Sequence, residues 1–285
     1  MAATTLRPTY GIIPAQNEQV GNMNIRRPFP TRTLKQVSPF VLFDHMGPRD
    51  IPAGDTFEVP PHPHAGFQTV TYFLEGIGYH KDSLGNTQSI NPGDVNWMTA
   101  GRGIVHAEYS DPEFNKKGGP IQGFQIWVDL PAEARDTPPL FGNYNAAELP
   151  VQKAKNSQLR VVAGSYQEMQ SPVETFSPVH LYHLKGLNDS WQFEFNAEYN
   201  HAVYLAQGKA TVNEKELIPG DLLVFKQQKG VTQVTLPGEE STDLLILAGQ
   251  DLGSKHVSYG PFIANSAEHL QAQVQRYQSG EMGNL

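Results

Sequence analysis

The stretch Pro60-Pro61-His62-Pro63-His64 constrains this chain more than any other. In an extended strand, side chains at i and i+2 leave the same face, so both imidazoles point into one space. Two rises of a strand separate them, close enough to share a cation. A second pair with the same spacing, His106 and Glu108, begins 44 residues after His62. If the two strands face each other across a barrel, three imidazoles and one carboxylate converge. Such a nitrogen-rich mixed site suits iron, manganese, nickel, copper or zinc, and suits calcium or magnesium poorly. An isolated His-x-His is more often a surface or hydrogen-bonded pair. A second pair with the same period shifts the balance toward metal.

Composition agrees with a barrel. The chain has 285 residues, enough for one large or two ordinary domains. With 39% hydrophobic and 18% charged residues it is globular, and 26 Gly and 22 Pro imply many turns between short strands. There are no cysteines, which excludes disulfides, zinc-thiolate sites and thiol nucleophiles. A net charge of -8 without a basic run gives no nucleic-acid footprint. Met1 to Gln16 lacks the apolar core of a signal peptide, and the run Leu244 to Ala248 is far too short to span a bilayer. A cytoplasmic location without membrane contact is the expectation.

Taken in order, Ile12-Ile13, Met23 to Ile25 and Phe40 to Phe43 read as short strands broken by prolines. His45 is expected to be a hydrogen-bonded structural histidine. Gly66 to Gly76 is rich in β-branched and aromatic residues and reads as a strand, as do Val95 to Met98, the segment holding His106, and Phe124 to Leu130. His80 flanks a turn without a ligand partner at i+2 and is set aside. Pro131 to Pro150, without alternation, reads as the crossing between domains at 1–145 and 146–285.

The second half repeats the first. Tyr72 to Gly76 matches Tyr204 to Gly208, and Asn91-Pro92-Gly93-Asp94 matches Ile218-Pro219-Gly220-Asp221. Extending these matches without gaps puts Glu194 and Asn196 at the places of His62 and His64, and Gln233 and Thr235 at those of His106 and Glu108. That set is a poor transition-metal site, and His180, His183 and His201 fall elsewhere. The second barrel is therefore expected to have lost its metal. Near the end, Asn265 with Glu268 resembles a capping box, and Ala267, Leu270, Val274 and Tyr277 form one apolar face of a helix.

Two barrel repeats, His-x-His and the Pro-Gly-Asp turns resemble the cupin superfamily. His62 to Tyr72, Pro92 to Glu108 and Gly260-Pro261-Phe262 resemble the pirin family more closely still, and the likeness runs from about Val20 to the C-terminal helix. The resemblance implies an all-β bicupin: two cupin-type barrels in tandem with a C-terminal α-helix. It implies one mononuclear divalent metal, Fe2+ first, with Mn, Ni, Cu, Zn and Co open, held by His62, His64, His106 and Glu108. It also implies quercetin 2,3-dioxygenase activity on a small aromatic substrate with O2, or a role as a transcription cofactor. Gln68 stands where many members of the family carry a carboxylate, which is expected to alter the surroundings of the metal without removing it.

Four protein ligands on an octahedral metal leave two positions open, as chemistry requires. A flavonol-like enol binding as its anion would be activated toward O2, with Glu108 as the general base. Phe43, Phe67, Trp97 and Met98 are candidates to line the pocket. The alternatives are a redox-sensing regulator that binds a protein partner, and a metal-dependent isomerase of the cupin kind that needs no oxygen. A monomer is expected.

Overall fold

A computed structural model describes residues 5–238, 240–253 and 256–285. The β-branched and aromatic runs form strands. Phe67–Glu75 and Thr242–Gln250 are buried along almost their whole length, and the second shows a continuous apolar run from Leu244 to Ala248 instead of alternation. Among the described residues no helix is long and apolar enough to cross a membrane.

The chain divides into two compact units. The first comprises Asn17–Arg27, Phe40–Ala146 and Leu252–Leu285; the second comprises the described residues of Met1–Gln16, with Pro28–Pro39 and Ala147–Asp251. In the first unit a seven-stranded sheet runs in the order Leu140–Tyr144, Val95–Thr99, Phe67–Glu75, Gly119–Asp129, Phe40–Ile51, Met23–Phe29, Gln16–Val20. A four-stranded sheet runs Glu58–His64, Ile104–Ser110, Gly78–Asp82, Thr87–Ile90. The second unit has the same two sheets. Its larger one runs Thr9–Pro14, Asp221–Phe225, Tyr199–Gln207, Thr242–Gln250, Val179–Gly186, Ser157–Ala163, Val151–Lys153. Its smaller one runs Asp189–Glu194, Val231–Leu236, Ala210–Val212, Lys215–Leu217.

The two strand orders correspond position by position, with one exchange in the chain. Leu140–Tyr144 pairs with Val95–Thr99, whereas the place it holds is taken in the second unit by the N-terminal Thr9–Pro14, paired with Asp221–Phe225. The units therefore differ from the contiguous halves 1–145 and 146–285. Ala146 and Ala147 do fall in different units, but the N-terminal strand joins the second unit and the tail from Leu252 joins the first. Leu140–Tyr144 also lies inside a segment that reads as a structureless crossing in the sequence, because an edge strand needs little alternation.

The C-terminal helix spans Ala267–Gln278. Its N-cap is Ser266, whose hydroxyl accepts from the His269 amide at 3.2 Å. Asn265, the expected cap, instead donates to the Ala132 carbonyl and accepts from Arg135. Leu270 and Val274 pack on Ala65, Val105, Phe262 and Met282, while Tyr277 stays exposed.

The interior of the second barrel is apolar where the first carries histidines. Register places Gln233 opposite Gln192 and Glu194 opposite Val231, whereas His106 stands opposite His62. The gapless placements Glu194 and Gln233 are thus two residues out of step with the observed pairing, and both stand on the exposed face. Gln192, Gln233 and Thr235 are exposed; Trp191, Phe193, Val234 and Leu236 fill the inside.

His201 is fully buried in this unit, with Nδ1 2.8 Å from the Leu247 carbonyl and Nε2 3.0 Å from Thr232 Oγ1. Burial, outweighing the carbonyl, pushes its pKa down to about 3. The unfolded chain therefore binds a proton below about pH 6.5 that the folded chain refuses, and stability falls as pH drops through that window. Urea unfolding should lose on the order of 3 kcal/mol to this group between pH 6.5 and 4. In His201→Gln that slope should flatten; an unchanged slope would remove His201 as the acid-sensitive group.

Candidate metal centre

Glu58–His64 is an edge strand of its sheet, which is where prolines are tolerated because no partner needs their missing amide hydrogens. Pleating puts His62 and His64 on one face, and pairing with Ile104–Ser110 sets His106 opposite His62. The three ring centroids lie 4.4 to 4.8 Å apart. One nitrogen from each ring lies within 4.8 Å of the others, the single metal-type group of three among the described residues. His62 Nδ1 donates to the Pro60 carbonyl at 2.8 Å, which fixes the tautomer and leaves the Nε2 lone pair facing the cluster. His62 Nε2 and His64 Nε2 are 3.0 Å apart. Two metal–nitrogen bonds of about 2.0–2.1 Å at a right angle span about 3.0 Å, so the pair already has the bite of adjacent ligands.

His106 is 1% exposed, and neither of its ring nitrogens has a hydrogen-bond partner. Burial, with the neighbouring imidazoles adding to it, holds His64 and His106 well below the usual histidine pKa. For His64 the Pro261 carbonyl works in the opposite direction and is outweighed. Both rings are therefore neutral, with lone pairs free for a cation. These residues fit a transition metal.

Glu108 stands outside the three-histidine group. A bulge between His106 and Glu108 sets Glu108 against Val59, and Thr71 Oγ1 holds its carboxylate at 2.7 Å. Thr71 Oγ1 is also 3.0 Å from Gln125 Oε1. The hydroxyl has one proton, and the carboxylate is the stronger acceptor. Glu108 borders a narrow, mostly apolar cavity with Met23, Met46, Phe73 and Tyr79; its free space, about 20 Å³, is that of one water.

Profiles for the Pirin domain and for the Pirin C-terminal cupin domain match residues 22–128 and 185–283. A pirin-like protein of Caulobacter vibrioides is 33% identical over 95% of this chain and 93% of its own length. The chain belongs to the pirin family. Human Pirin is 30% identical, covering 94% of this chain and 90% of that protein. The crystal structure of a quercetin 2,3-dioxygenase from Acinetobacter baumannii superposes with a TM-score of 0.92 at 30% identity, over 98% of this chain and 99% of that one. The all-β bicupin architecture is thereby established.

Within this pirin, residues around the histidines differ in part from expectation. Phe67 does approach the site: its ring lies 5.1 Å from His64 and 4.4 Å from Trp127, itself 5.1 Å from His64. Phe43, Trp97 and Met98 are packing residues, none of them on the Glu108 cavity. Gln68 alternates away from Thr71 and donates to Thr99 Oγ1 at 2.9 Å, so it does not touch the centre. His45 is buried, 2.9 Å from Gln122 Nε2.

His80 is closer than the sequence reading allowed. Its ring is 5.5 Å from His106 and stacks on Phe141, and Nε2 bonds Asp82 at 3.0 Å. Asp82 is its i+2 partner, overlooked because the adjacent turn hid that Gly78–Asp82 is a strand. Thr71 and Gln125 were also missed; only the pairing of Phe67–Glu75 with Gly119–Asp129 brings them together.

Because His106 buries two unpaired nitrogens, replacing it with Leu should stabilise the metal-free protein by about 1–3 kcal/mol. Metal should raise the urea midpoint of the wild type and leave that of His106→Leu unmoved. A variant less stable than metal-free wild type would contradict this account of the site.

Proposed function

We propose that this pirin is a metal-dependent dioxygenase of the quercetin 2,3-dioxygenase type, using one Fe2+ to open a flavonol or similar aromatic enol with O2. The observation that carries the proposal is the doubly unpaired, buried His106 within 3-histidine range of a single cation. Likeness to the Acinetobacter quercetin 2,3-dioxygenase over nearly the whole of both chains supports the substrate class.

His62, His64 and His106 would hold the metal, with Glu108 as a fourth ligand or the base beside it. A divalent metal there supplies Lewis acidity that lowers the pKa of an enol or phenol hydroxyl. His62, the partly exposed member, marks the side from which a substrate reaches the centre. Phe67 and Trp127 pack edge-to-face against His64 and help to keep it from water. Glu108 accepts the substrate's hydroxyl proton, and Thr71 holds the carboxylate in place by donating to it. The apolar side chains about Glu108 exclude bulk water from that proton.

The test is elemental analysis of anaerobically purified protein together with O2 uptake on quercetin. We expect about one iron per chain, lost in His62→Ala along with oxygen-dependent turnover. In Glu108→Gln, turnover should fall by about 10²-fold or more while metal content stays within about two-fold. Iron without oxygen uptake would sink the dioxygenase assignment; intact turnover in Glu108→Gln would sink the base.

A further inference from the structure

The second barrel has an open cleft of its own, of about 560 Å³, between the hairpin 165–170 and the strands Val179–Gly186 and Asp189–Glu194. That volume lies in the range of small-molecule sites. In the first barrel the strand at the same sheet position as Asp189–Glu194 carries His62 and His64. Here aromatic rings replace them.

The rings form a row. Trp191 and Phe193 have centroids 6.4 Å apart and planes 10° apart; Phe193 and Phe195 have centroids 6.5 Å apart and planes 8° apart. Tyr182 lies 28° from the plane of Phe195. Trp191 and Phe193 are buried in the core, whereas Phe195 is partly exposed at the cleft. Phe195, with Tyr182 beside it, thus offers a surface for another flat ring. A cage for an ammonium ion would need rings turned toward one point.

The polar groups narrow the choice. Among the described residues Glu194 is the one charged residue at the cleft, and no Lys or Arg lines it. Arg7 sits behind the 196–199 turn with its guanidinium donating to the carbonyls of Asn196, Ala197, Tyr199 and Lys226. Carboxylate and phosphate ligands thus find no cation. His180 Nδ1 is 3.2 Å from the Ser165 carbonyl and 3.0 Å from the Tyr182 hydroxyl, and its Nε2 makes no hydrogen bond to the described protein. Burial lowers the His180 pKa, so the ring is neutral and Nε2 is an acceptor. A ligand here must be flat, uncharged and a donor.

We propose that this cleft is a binding site for a neutral planar hydroxyaromatic compound, its ring laid against Phe195 and its hydroxyl proton donated to His180. The site is separate from the metal centre and does not depend on the function assigned to it.

Calorimetric titration of the full chain with 2-naphthol tests this, run on wild type and on His62→Ala. We expect a dissociation constant on the order of 0.1–1 mM, equal in the two proteins. Decahydro-2-naphthol, which is not flat, and 2-naphthoate, which is charged, should each bind at least about ten-fold more weakly. Phe195→Leu should weaken 2-naphthol about ten-fold. Should Phe195→Leu melt early, His180→Leu serves instead, with a loss of about three-fold or more expected. No binding of 2-naphthol, equal binding of either analogue, or binding lost in His62→Ala but kept in Phe195→Leu would overturn the proposal. Loss of oxygenase activity in His62→Ala bears only on the metal centre.

Discussion

The first barrel's interior turns on one unfavourable fact: His106 is buried with two ring nitrogens that nothing among the described residues satisfies. An unpaired buried polar group costs free energy comparable to a lost hydrogen bond or more. A chain selected for stability alone would place Leu or Val there, as the second barrel does with Val234 in the matching sheet. The first barrel instead keeps three imidazoles within one cation's reach and prevents two of them from charging. Neutral, desolvated and mutually close, they repel protons and are held ready for a metal.

Holding them so requires the backbone to be locked from both sides. On the sequence side, Pro60 offers its carbonyl to His62 and so decides which nitrogen faces inward. On the tertiary side, the C-terminal segment is laced onto the histidine strand: the Ile263 amide donates to the Ala65 carbonyl at 3.0 Å. The next residue, Gly66, has φ of +87°, and a Cβ there would meet the Ile263 carbonyl at 1.8 Å. Only glycine permits that approach. Gln273 of the final helix donates to the same Ile263 carbonyl at 2.9 Å, so the tail from Leu252 onward helps to position the site.

These dependencies explain which parts were legible in the sequence. The three histidines were, because a period of two is a local property and survives any loop length. The barrel repeat was, because Pro-Gly-Asp turns fix where strands begin. What failed was whatever depends on register between distant strands. Glu108 shares the spacing of the first pair and the strand face of His106, but the hydroxyl that holds its carboxylate, Thr71, comes from a different sheet. The gapless placements of the ligands in the second barrel are two residues out of step with the pairing of its strands. The exchange of Thr9–Pro14 for Leu140–Tyr144 left no local trace at all, since both are edge strands with ordinary sequences. The helix cap moved by one residue because Asn265 found partners in Arg135 and Ala132, which sequence spacing cannot reveal.

The two barrels then make a controlled comparison within one chain. Their sheets have the same strand order, so topology cannot account for the difference in chemistry. The difference lies in the inward positions of a few strands. In the first barrel they are His62, His64, His106, Thr71 and Gln125, polar groups of which the three imidazoles are spaced for one cation. In the second they are Trp191, Phe193, Val203, Val234 and Ile246, which close the interior by packing and leave chemistry to the rim. The second barrel buries a histidine too, but His201 is satisfied at both nitrogens where His106 is satisfied at neither among the described residues. The contrast between those two histidines separates a structural residue from a functional one more sharply than burial or pKa does, because both are buried and both are held neutral.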